Sequence, residues 1–575
     1  MTDREPPADD VADAGAQRPW LAHYPAGTPH EIDADAVGTL VSLFDDAVAR
    51  FGPRSAFRSF GKSLTFAETG ERAQSVAAFL QSRGLGRGDR VAIMAPNVMA
   101  YPAILFGILK AGCTVVNINP LYTPREFSAQ IRDSGARALF VLENFAHTVE
   151  TSGEAASLDP LVIVKPGDLL GLKGAVINLV SRHIKKAVPA FTLPQAIAFS
   201  KALAKPGSSG FKPVAIDRED IAFLQYTGGT TGAAKGATLL HRNVAANVAQ
   251  LDGWMGRRIE LRDDNVMITA LPLYHIFSLT ACCLFFHFGT TQVLIANPRD
   301  IPGFVKTLKG EKFTCTVGVN TLYNALANHP AIGEVDFSRL NLCVSGGMAT
   351  QKGVAARWKE LTGRPIIEGY GLSETSPVVS ANPLDLDEFS GTIGFPLPST
   401  DVSIRDPDGA PLPIGAEGEL CVRGPQVMAG YWNRPEETAL AMTADGFFRT
   451  GDMAVMLPDG QVRIVDRIKD MILVSGFNVY PNEIEDVLAM HPKVQEAAVI
   501  GVPDDHSGEA VAAFIVKKDQ SLTAEEISEH CKANLAPYKR PRRIEFRESL
   551  PKTNVGKMLR RELRAEILGE APAGG

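Results

Sequence analysis

The chain has 575 residues, of which 21% are charged and 45% hydrophobic, with a formal net charge of −7. That length is worth about three or four domain-sized units with ample core, and the composition excludes general disorder. The negative balance argues against nucleic acid as a main partner. Seven cysteines (Cys113, Cys282, Cys283, Cys315, Cys343, Cys421 and Cys531) show no CxxC spacing and lie mostly in apolar surroundings. They read as reduced core thiols of a cytoplasmic protein.

Residues 1–35 open on MTDREPPADDVADAGAQ, acidic, Pro/Ala-rich and without an apolar centre. This predicts a loose arm, neither signal peptide nor membrane anchor. From Thr39 to Phe145, helical patterns (TLVSLFDDAVARF, AETGERAQSVAAFLQSRG, AYPAILFGILKAG) alternate with short apolar strands (RVAIMAPN, CTVVNIN), the signature of an α/β unit with parallel strands. Gly84, Gly86 and Gly88 precede the strand at Val91 instead of following it, so a dinucleotide fingerprint fails on context and a helix stop fits better. Further on, LLGLKGAVINLVSRHIKKAVPAF places Ile177, Val180, Ile184 and Val188 on one helical face and Arg182, Lys185 and Lys186 on the other. An ordinary packed surface helix and a helix resting weakly on an anionic membrane both fit that pattern.

The stretch YTGGTTGAAKGATLLHRN, 226–243, follows the strand-like IAFLQ and leads into the helical pattern NVAANVAQLDGWM. Gly228, Gly229, Gly232 and Gly236 let a backbone turn tightly around an anion, while Thr227, Thr230 and Thr231 add hydroxyl donors and Lys235 a cation; Tyr226 opens the stretch and is counted with the site. This is a loop for a polyphosphate. It is not the Walker pattern, because the one Gly-Lys-Ser, at Gly61-Lys62-Ser63, has Ala56 where a glycine is required. A flexible linker of Gly and Thr is the plainer alternative, but four glycines, three threonines and a lysine beside a buried strand fit it poorly.

Beyond it, the run Ile276 to Phe286 is too short to span a bilayer and reads as buried core. His275, just before it, is ordinary as a lone histidine. LNLCVSGGMAT gives a strand ending at Gly346 and Gly347, where missing side chains leave room beside the backbone. IIEGYGLSETSP follows another strand, and its glycine-bounded loop combines Tyr370, an aromatic face suited to a base, with Glu374, a hard oxygen ligand suited to Mg²⁺. The segments TDVSIRD, GELCVRG and QVRIVDR predict a small antiparallel unit containing FFRTGDMA, whose Asp452 alone would read as a turn residue. Asp466, Arg467, Lys469 and Asp470 then interrupt the apolar pattern as an exposed crossover between domains would, and the chain restarts as a compact α+β unit of about a hundred residues. Near its end Lys557 follows Gly556 on an exposed loop.

Motif after motif, in order and over nearly the whole chain, the sequence resembles the adenylate-forming superfamily, and within it bacterial long-chain fatty-acid–CoA ligases. The glycine loop, Pro272-Leu273-Tyr274-His275, Gly369-Tyr370-Gly371-Leu372-Ser373-Glu374-Thr375, the 116–123 run VNINPLYT, the basic segment and the 470–481 run DMILVSGFNVYP carry the likeness. The resemblance implies a large N-terminal adenylation domain, 36–466, built of two α/β subdomains and a small β-rich one, and a mobile C-terminal lid, 467–575. It implies that Tyr370 packs on adenine, that Glu374 and Thr231 hold Mg²⁺ on ATP, and that Asp452 and Arg467 reach the ribose. It places His275 at the acyl pocket and thiol tunnel, Lys557 and Lys235 as catalytic cations, Lys469 at the pivot and Gly476 along the coenzyme A tunnel after the lid turns. Gly346, Gly369, Gly371 and Thr375 complete the nucleotide site. The implied reaction joins a fatty acid to coenzyme A through an acyl-AMP. A medium-chain or aryl-CoA ligase, a fatty-acyl-AMP ligase and a non-catalytic acyl-AMP binder are the rivals. Partners are then fatty acid, ATP and CoA, with no nucleic acid, in the cytoplasm at or near the inner face of the membrane, and a homodimer is compatible with the chain.

Overall fold

Threonines placed just ahead of amphipathic runs set the first helices. Thr39, Thr65 and Thr123 cap Leu40–Phe51, Phe66–Ser82 and Pro124–Ser134, each accepting the N–H three residues on while Ser42, Glu68 or Glu126 returns the bond. The structure is a computed structural model that describes residues 18–203, 210–227, 234–255, 264–504, 506–553 and 556–568. Of the expected site residues, Gly228, Gly229, Thr230, Thr231 and Gly232 lie outside these.

The short apolar strands assemble into two large sheets among the described residues. One runs Gly430–Tyr431, Lys235–Leu240, Ile221–Thr227, Thr114–Asn117, Arg90–Met94, Ala138–Leu142, Leu161–Val164, Ile197–Ala198 and is parallel from Ile221–Thr227 onward. The other has a parallel centre of Thr291–Leu294, Val266–Thr269, Cys315–Gly318, Leu342–Ser345 and Ile367–Gly371, with antiparallel edges. One continuous apolar core serves both sheets and the helices packed with them. At its centre the Phe286 ring meets Phe66 at 4.4 Å, Phe44 at 5.0 Å, Phe106 at 5.6 Å and Phe57 at 5.8 Å between centroids. Phe286 sits on Ile276–His287, so the run read as core is core. All seven cysteines are buried and unbridged.

The β-rich unit is a four-stranded antiparallel sheet, Asp401–Arg405, Glu417–Arg423, Phe448–Met456 and Val462–Arg467, as the alternation predicted. After a single helical turn, Ile468–Asp470, the lid begins. Its sheet (Ile472–Val474, Phe477–Val479, Val494–Asp504, Gly508–Lys517 and Arg543–Arg547) packs with Pro481–Ala489 and Ala524–Asn534 around its own core of Ile484, Leu488, Val499, Ile515 and Ile527.

Three expectations need correction. The glycine loop does not run from strand into helix: it joins two antiparallel strands, Ile221–Thr227 and Lys235–Leu240, and the helix His241–Met255 starts only after the second. The second half of the arm is not loose. Trp20 is buried against the β-rich unit, Tyr24 Oη donates to the Pro396 carbonyl at 2.6 Å and stands edge-on to Trp254, and Ile32 N–H donates to Ser399 Oγ at 2.9 Å. Aromatic residues spaced along a Pro-rich stretch give no periodic signal, so composition hid the anchor.

The basic segment is not one helix through Val188. Gly171–Leu179 is α-helical, Val180–Ile184 forms a wider turn, and Lys186 has a φ of 49° that stops it. Ile177, Val180 and Val188 are half-buried, whereas a different row faces solvent: Leu172, Val176 and Leu179 are 91%, 61% and 56% exposed.

Deleting the arm's anchor tests its role. Trp20→Ala should cost about 3–5 kcal/mol, the usual penalty for emptying a large aromatic site, lowering the urea midpoint and opening 18–35 to protease. An unchanged midpoint would show the arm to be merely laid on the surface.

Candidate active site

The residues singled out from sequence converge where parallel strands of both sheets end, the position at which crossover folds leave a crevice. Ile367–Gly371 carries Tyr370, Leu342–Ser345 ends at Gly346, and Val266–Thr269 leads to His275. The glycines are dictated by crowding. A Cβ on Gly346 would lie 2.9 Å from the Gly369 carbonyl oxygen and 3.1 Å from the Phe277 ring, and one on Gly371 would lie 1.9 Å from the Pro377 oxygen.

Tyr370, Asp452 and Arg467 form one unit. Strand register sets Asp452 opposite Arg467, and the side chains follow: Tyr370 Oη donates to Asp452 Oδ2 at 2.6 Å, and Arg467 Nε stands 3.3 Å from Asp452 Oδ1. Asp452 is buried, so these two donors hold its charge in place. The tyrosine hydroxyl sits in an acid's grip and is pushed well above its usual range, first by burial. The carboxylate is an acceptor fixed beside an aromatic face, which suits a vicinal diol attached to a flat base.

Glu374 is buried one turn further on. Its Oε1 accepts from Tyr431 Oη at 2.9 Å, and burial raises its pKa against the opposing pull of that donor and of Lys557. A carboxylate disfavoured by burial in this way gains from a cation, so the residue fits the metal expected there. Tyr431 also links Glu374 to the phosphate loop, because the Lys235 ammonium lies 5.1 Å from its ring centroid and is ion-paired with Glu437. Lys235 starts the second loop strand, opposite Thr227.

The lid delivers Lys557 into this crevice. Its Cε comes within 3.4 Å of where Gly347 would carry a Cβ, and its backbone is held by its own loop, N–H to Thr553 Oγ1 at 3.0 Å. Its pKa falls to about 8, first through burial and then through the Arg467 cation, with Asp452 and Glu374 pulling the other way. His275 caps the helix Ile276–His287, its Nδ1 accepting from Phe277 N–H at 3.3 Å. Burial, then Lys557, pushes it down to about 3. It is neutral at ordinary pH and shapes the pocket without carrying charge.

Two expected residues are engaged elsewhere. Tyr226 faces away: its hydroxyl donates to Asp133 Oδ2 at 2.6 Å, its ring packs on Gly236, and Arg434 holds the same aspartate at 3.0 Å. The Thr375 hydroxyl is fully spent within its own turn, on Leu372 and Pro377. Gly476, expected at the tunnel only after the lid turns, lies exposed at the turn between Ile472–Val474 and Phe477–Val479, at a φ of 83° with nothing within 4 Å of its Cβ position. Conversely, Tyr431 was missed. Its signal was available in GYWNRPEET, 430–438, an aromatic and charged cluster between β-rich segments.

Comparison with known proteins follows the same geometry. The AMP-binding enzyme family model matches residues 44–432, and the AMP-binding enzyme C-terminal domain model matches 483–557. A long-chain-fatty-acid–CoA ligase of Yersinia pestis is 52% identical over 96% of this chain and 98% of its own, and that of Escherichia coli O6:H1 is 51% identical over the same shares. Among solved structures, an anthranilate CoA ligase in complex with anthranoyl-AMP superposes with a TM-score of 0.82 at 26% identity, covering 93% of this chain and 99% of that one. The chain belongs to the AMP-binding enzymes, in the long-chain-fatty-acid–CoA ligase group of that family.

Proposed function

We propose that the enzyme joins a long-chain fatty acid to coenzyme A at the expense of ATP, in two steps served by one crevice. The observation that carries this is Lys557, brought by a separate domain to within reach of Glu374, Asp452 and Arg467. In the first step a carboxylate oxygen attacks the α-phosphorus and the bond to pyrophosphate breaks. Tyr370 takes the base, Asp452 and Arg467 the ribose, and Lys557 and Lys235 the charge that develops on the phosphates. Lys235 exchanges Glu437 for phosphate. Glu374, with Thr231, would hold Mg²⁺, which would neutralise charge on the triphosphate. In the second step the CoA thiol attacks the acyl carbon and AMP departs, after the lid has turned about Lys469 and withdrawn Lys557.

The hinge supports CoA as acceptor over a carrier protein. Only Met471 separates the helical turn Ile468–Asp470 from Ile472–Val474, which turns back at once into Phe477–Val479 and the helix Pro481–Ala489, leaving no place for the insertion expected of a fatty-acyl-AMP ligase. AMP release with CoA, measured across straight-chain acids of increasing length and several aromatic acids, is expected to peak among the long chains. Faster turnover of aromatic acids would replace this reading with an aryl-CoA ligase.

The pH profile reports the lysine. An amine is charged below its pKa, so kcat/KM for adenylation should fall as pH rises through about 8, while thioester formation from supplied acyl-AMP lacks that limb. Lys557→Arg, which stays charged, should remove the limb. Its persistence would assign it to Lys469, also pushed down to about 8 by burial.

A weak membrane contact belongs to the same reading. The exposed row Leu172, Val176 and Leu179 adjoins Phe60, 51% exposed at a hairpin turn, and Lys173 Nζ donates to the Phe60 carbonyl. Lys173, Lys185 and Lys186 surround the patch with positive charge, whereas Arg182 is committed to Glu143 at 2.7 Å. No helix of the described residues is long and apolar enough to cross a membrane. Each cation near an anionic leaflet contributes about 1 kcal/mol, a term that salt screens. Binding to vesicles containing phosphatidylserine should fall steeply with salt, and further in Leu172→Ser with Val176→Ser. No binding at low salt would remove the membrane contact from the proposal.

A further inference from the structure

Arg560 opens the helix Arg560–Leu568, three residues beyond Lys557, and is only 15% exposed. Its guanidinium is ringed by acceptors from both sides of the hinge. Within the lid, Nη2 donates to Asn482 Oδ1 at 2.6 Å and to Glu485 Oε2 at 2.8 Å, and Nε to Glu485 Oε1 at 3.1 Å. At the hinge, Nη1 reaches Asp470 Oδ2 at 3.2 Å. Across the hinge, the same nitrogen stands 3.8 Å from Asp466 Oδ1.

Asp466 belongs to the other body. It is fully buried on Val462–Arg467, paired with Met453, the neighbour of Asp452, in the β-rich sheet. Its Oδ1 accepts from Arg467 N–H at 2.7 Å, and its Oδ2 accepts from Asn482 N–H at 2.9 Å, in the first turn of the lid helix Pro481–Ala489. One buried carboxylate therefore holds two parts of the lid, a helix start and the arginine beside Lys557. Elsewhere the two bodies meet through thinner contacts, such as Tyr480 Oη to Glu417 Oε2 at 3.1 Å and Asn324 Nδ2 to the Gln495 carbonyl at 3.5 Å.

We propose that Arg560 is a positioning residue: with Asp466 it latches the lid in the orientation that inserts Lys557, and it releases Asp466 when the lid turns. The ordering of distances is what a latch requires. The short, bidentate bonds to Glu485 and the bond to Asn482 lie within the lid and travel with it, so the arginine never becomes a bare buried charge. The long contact to Asp466 crosses the hinge, so a rotation about Lys469 breaks it together with the Asn482 N–H bond to the same carboxylate. Glu485 is fixed in turn by Val499 N–H at 2.8 Å, which keeps the fork aimed at the hinge. The arginine touches no substrate and acts through the placement of Lys557 on adenylation alone.

This rests on the two-step reading, so the wild-type enzyme must first show both half-reactions; failure there would sink that reading and leave the latch to the conformational assay below. Pyrophosphate exchange measures adenylation, and thioester formation from supplied acyl-AMP and CoA measures the second step. Arg560→Gln and the near-isosteric Asp466→Asn should each slow adenylation about 10- to 100-fold through the misplaced lysine and leave the second step within about threefold. The double variant should be no slower than the worse single one, because one contact is lost in all three. Arg560→Lys, which keeps charge without the fork, should recover part of the loss. Trypsin cleavage at Arg467 and Lys469 should quicken in the ligand-free variants as the lid leaves its seat. Equal loss in both half-reactions, additive losses in the double variant, or unchanged hinge cleavage would overturn the latch.

Discussion

A cation carried by one domain has to keep its charge inside a crevice built by another, and much of the structure answers that constraint. Burial drives Lys557 toward neutrality, and only Asp452 and Glu374 oppose it. Those two carboxylates are themselves buried, and burial raises the pKa of Glu374. Asp452 is therefore held by Tyr370 and Arg467, and Glu374 by Tyr431. Each acid is satisfied at one oxygen by a phenol, a donor that stabilises it without cancelling its charge. The arrangement is preorganised for a ligand bearing several negative charges, and it loses little by waiting for one.

The second constraint follows from the two-step proposal, in which this arrangement must come apart once per turnover. A large apolar interface would hold the lid too firmly, since every buried methylene contributes about 0.8 kcal/mol. The lid instead keeps its apolar core to itself and meets the larger domain through single polar bonds. Polar contacts have the advantage that water replaces them at little net cost once exposed. Asp466 is the exception, a fully buried acceptor shared between two lid donors. Its strength is local and its geometry is lost by a modest rotation, which confines the cost of opening to one place.

Most of the architecture was legible because it is local. Alternating helix and strand periods between Thr39 and Phe145 marked one large sheet, short alternating strands marked the small one, and the hinge showed as four charged residues between apolar runs, although Asp466, read there as exposed, is fully buried. Tyr370 and Glu374 were legible from an aromatic and a carboxylate set in one glycine-bounded loop, crowded at Gly371, whereas Asp452 and Lys557 were assigned only through the family resemblance. What escaped depended on partners distant in sequence. The strand Lys235–Leu240 abuts a helix and has the residues of a helix start; it is a strand because Ile221–Thr227 pairs with one side and Gly430–Tyr431 with the other. Tyr226 sat in the phosphate motif, yet Asp133, far upstream, claims its hydroxyl. The anchor of Trp20 is formed by residues hundreds of positions away, and nothing in the arm itself announces it.

The same distinction separates the two halves of the chemistry. Nucleotide recognition uses strand ends, where backbone geometry fixes a few side chains within a loop, so identity of residue carries the information. On the proposed function, acyl recognition near His275 would use the shape left between elements of the apolar core. His275 is neutral and serves as a helix cap, so its contribution is the position of a ring, and that position is set by the turn before Ile276–His287. Asn97 fixes this turn by accepting from Leu273 N–H at 2.8 Å and donating to the Thr269 and Leu271 carbonyls at 3.0 and 2.9 Å. A fully buried asparagine that makes all three bonds leaves the turn no alternative conformation at comparable cost. On the proposed function, selectivity for the acid would then depend on a buried residue that holds this turn, whereas selectivity for the nucleotide would rest on the side chains at the strand ends.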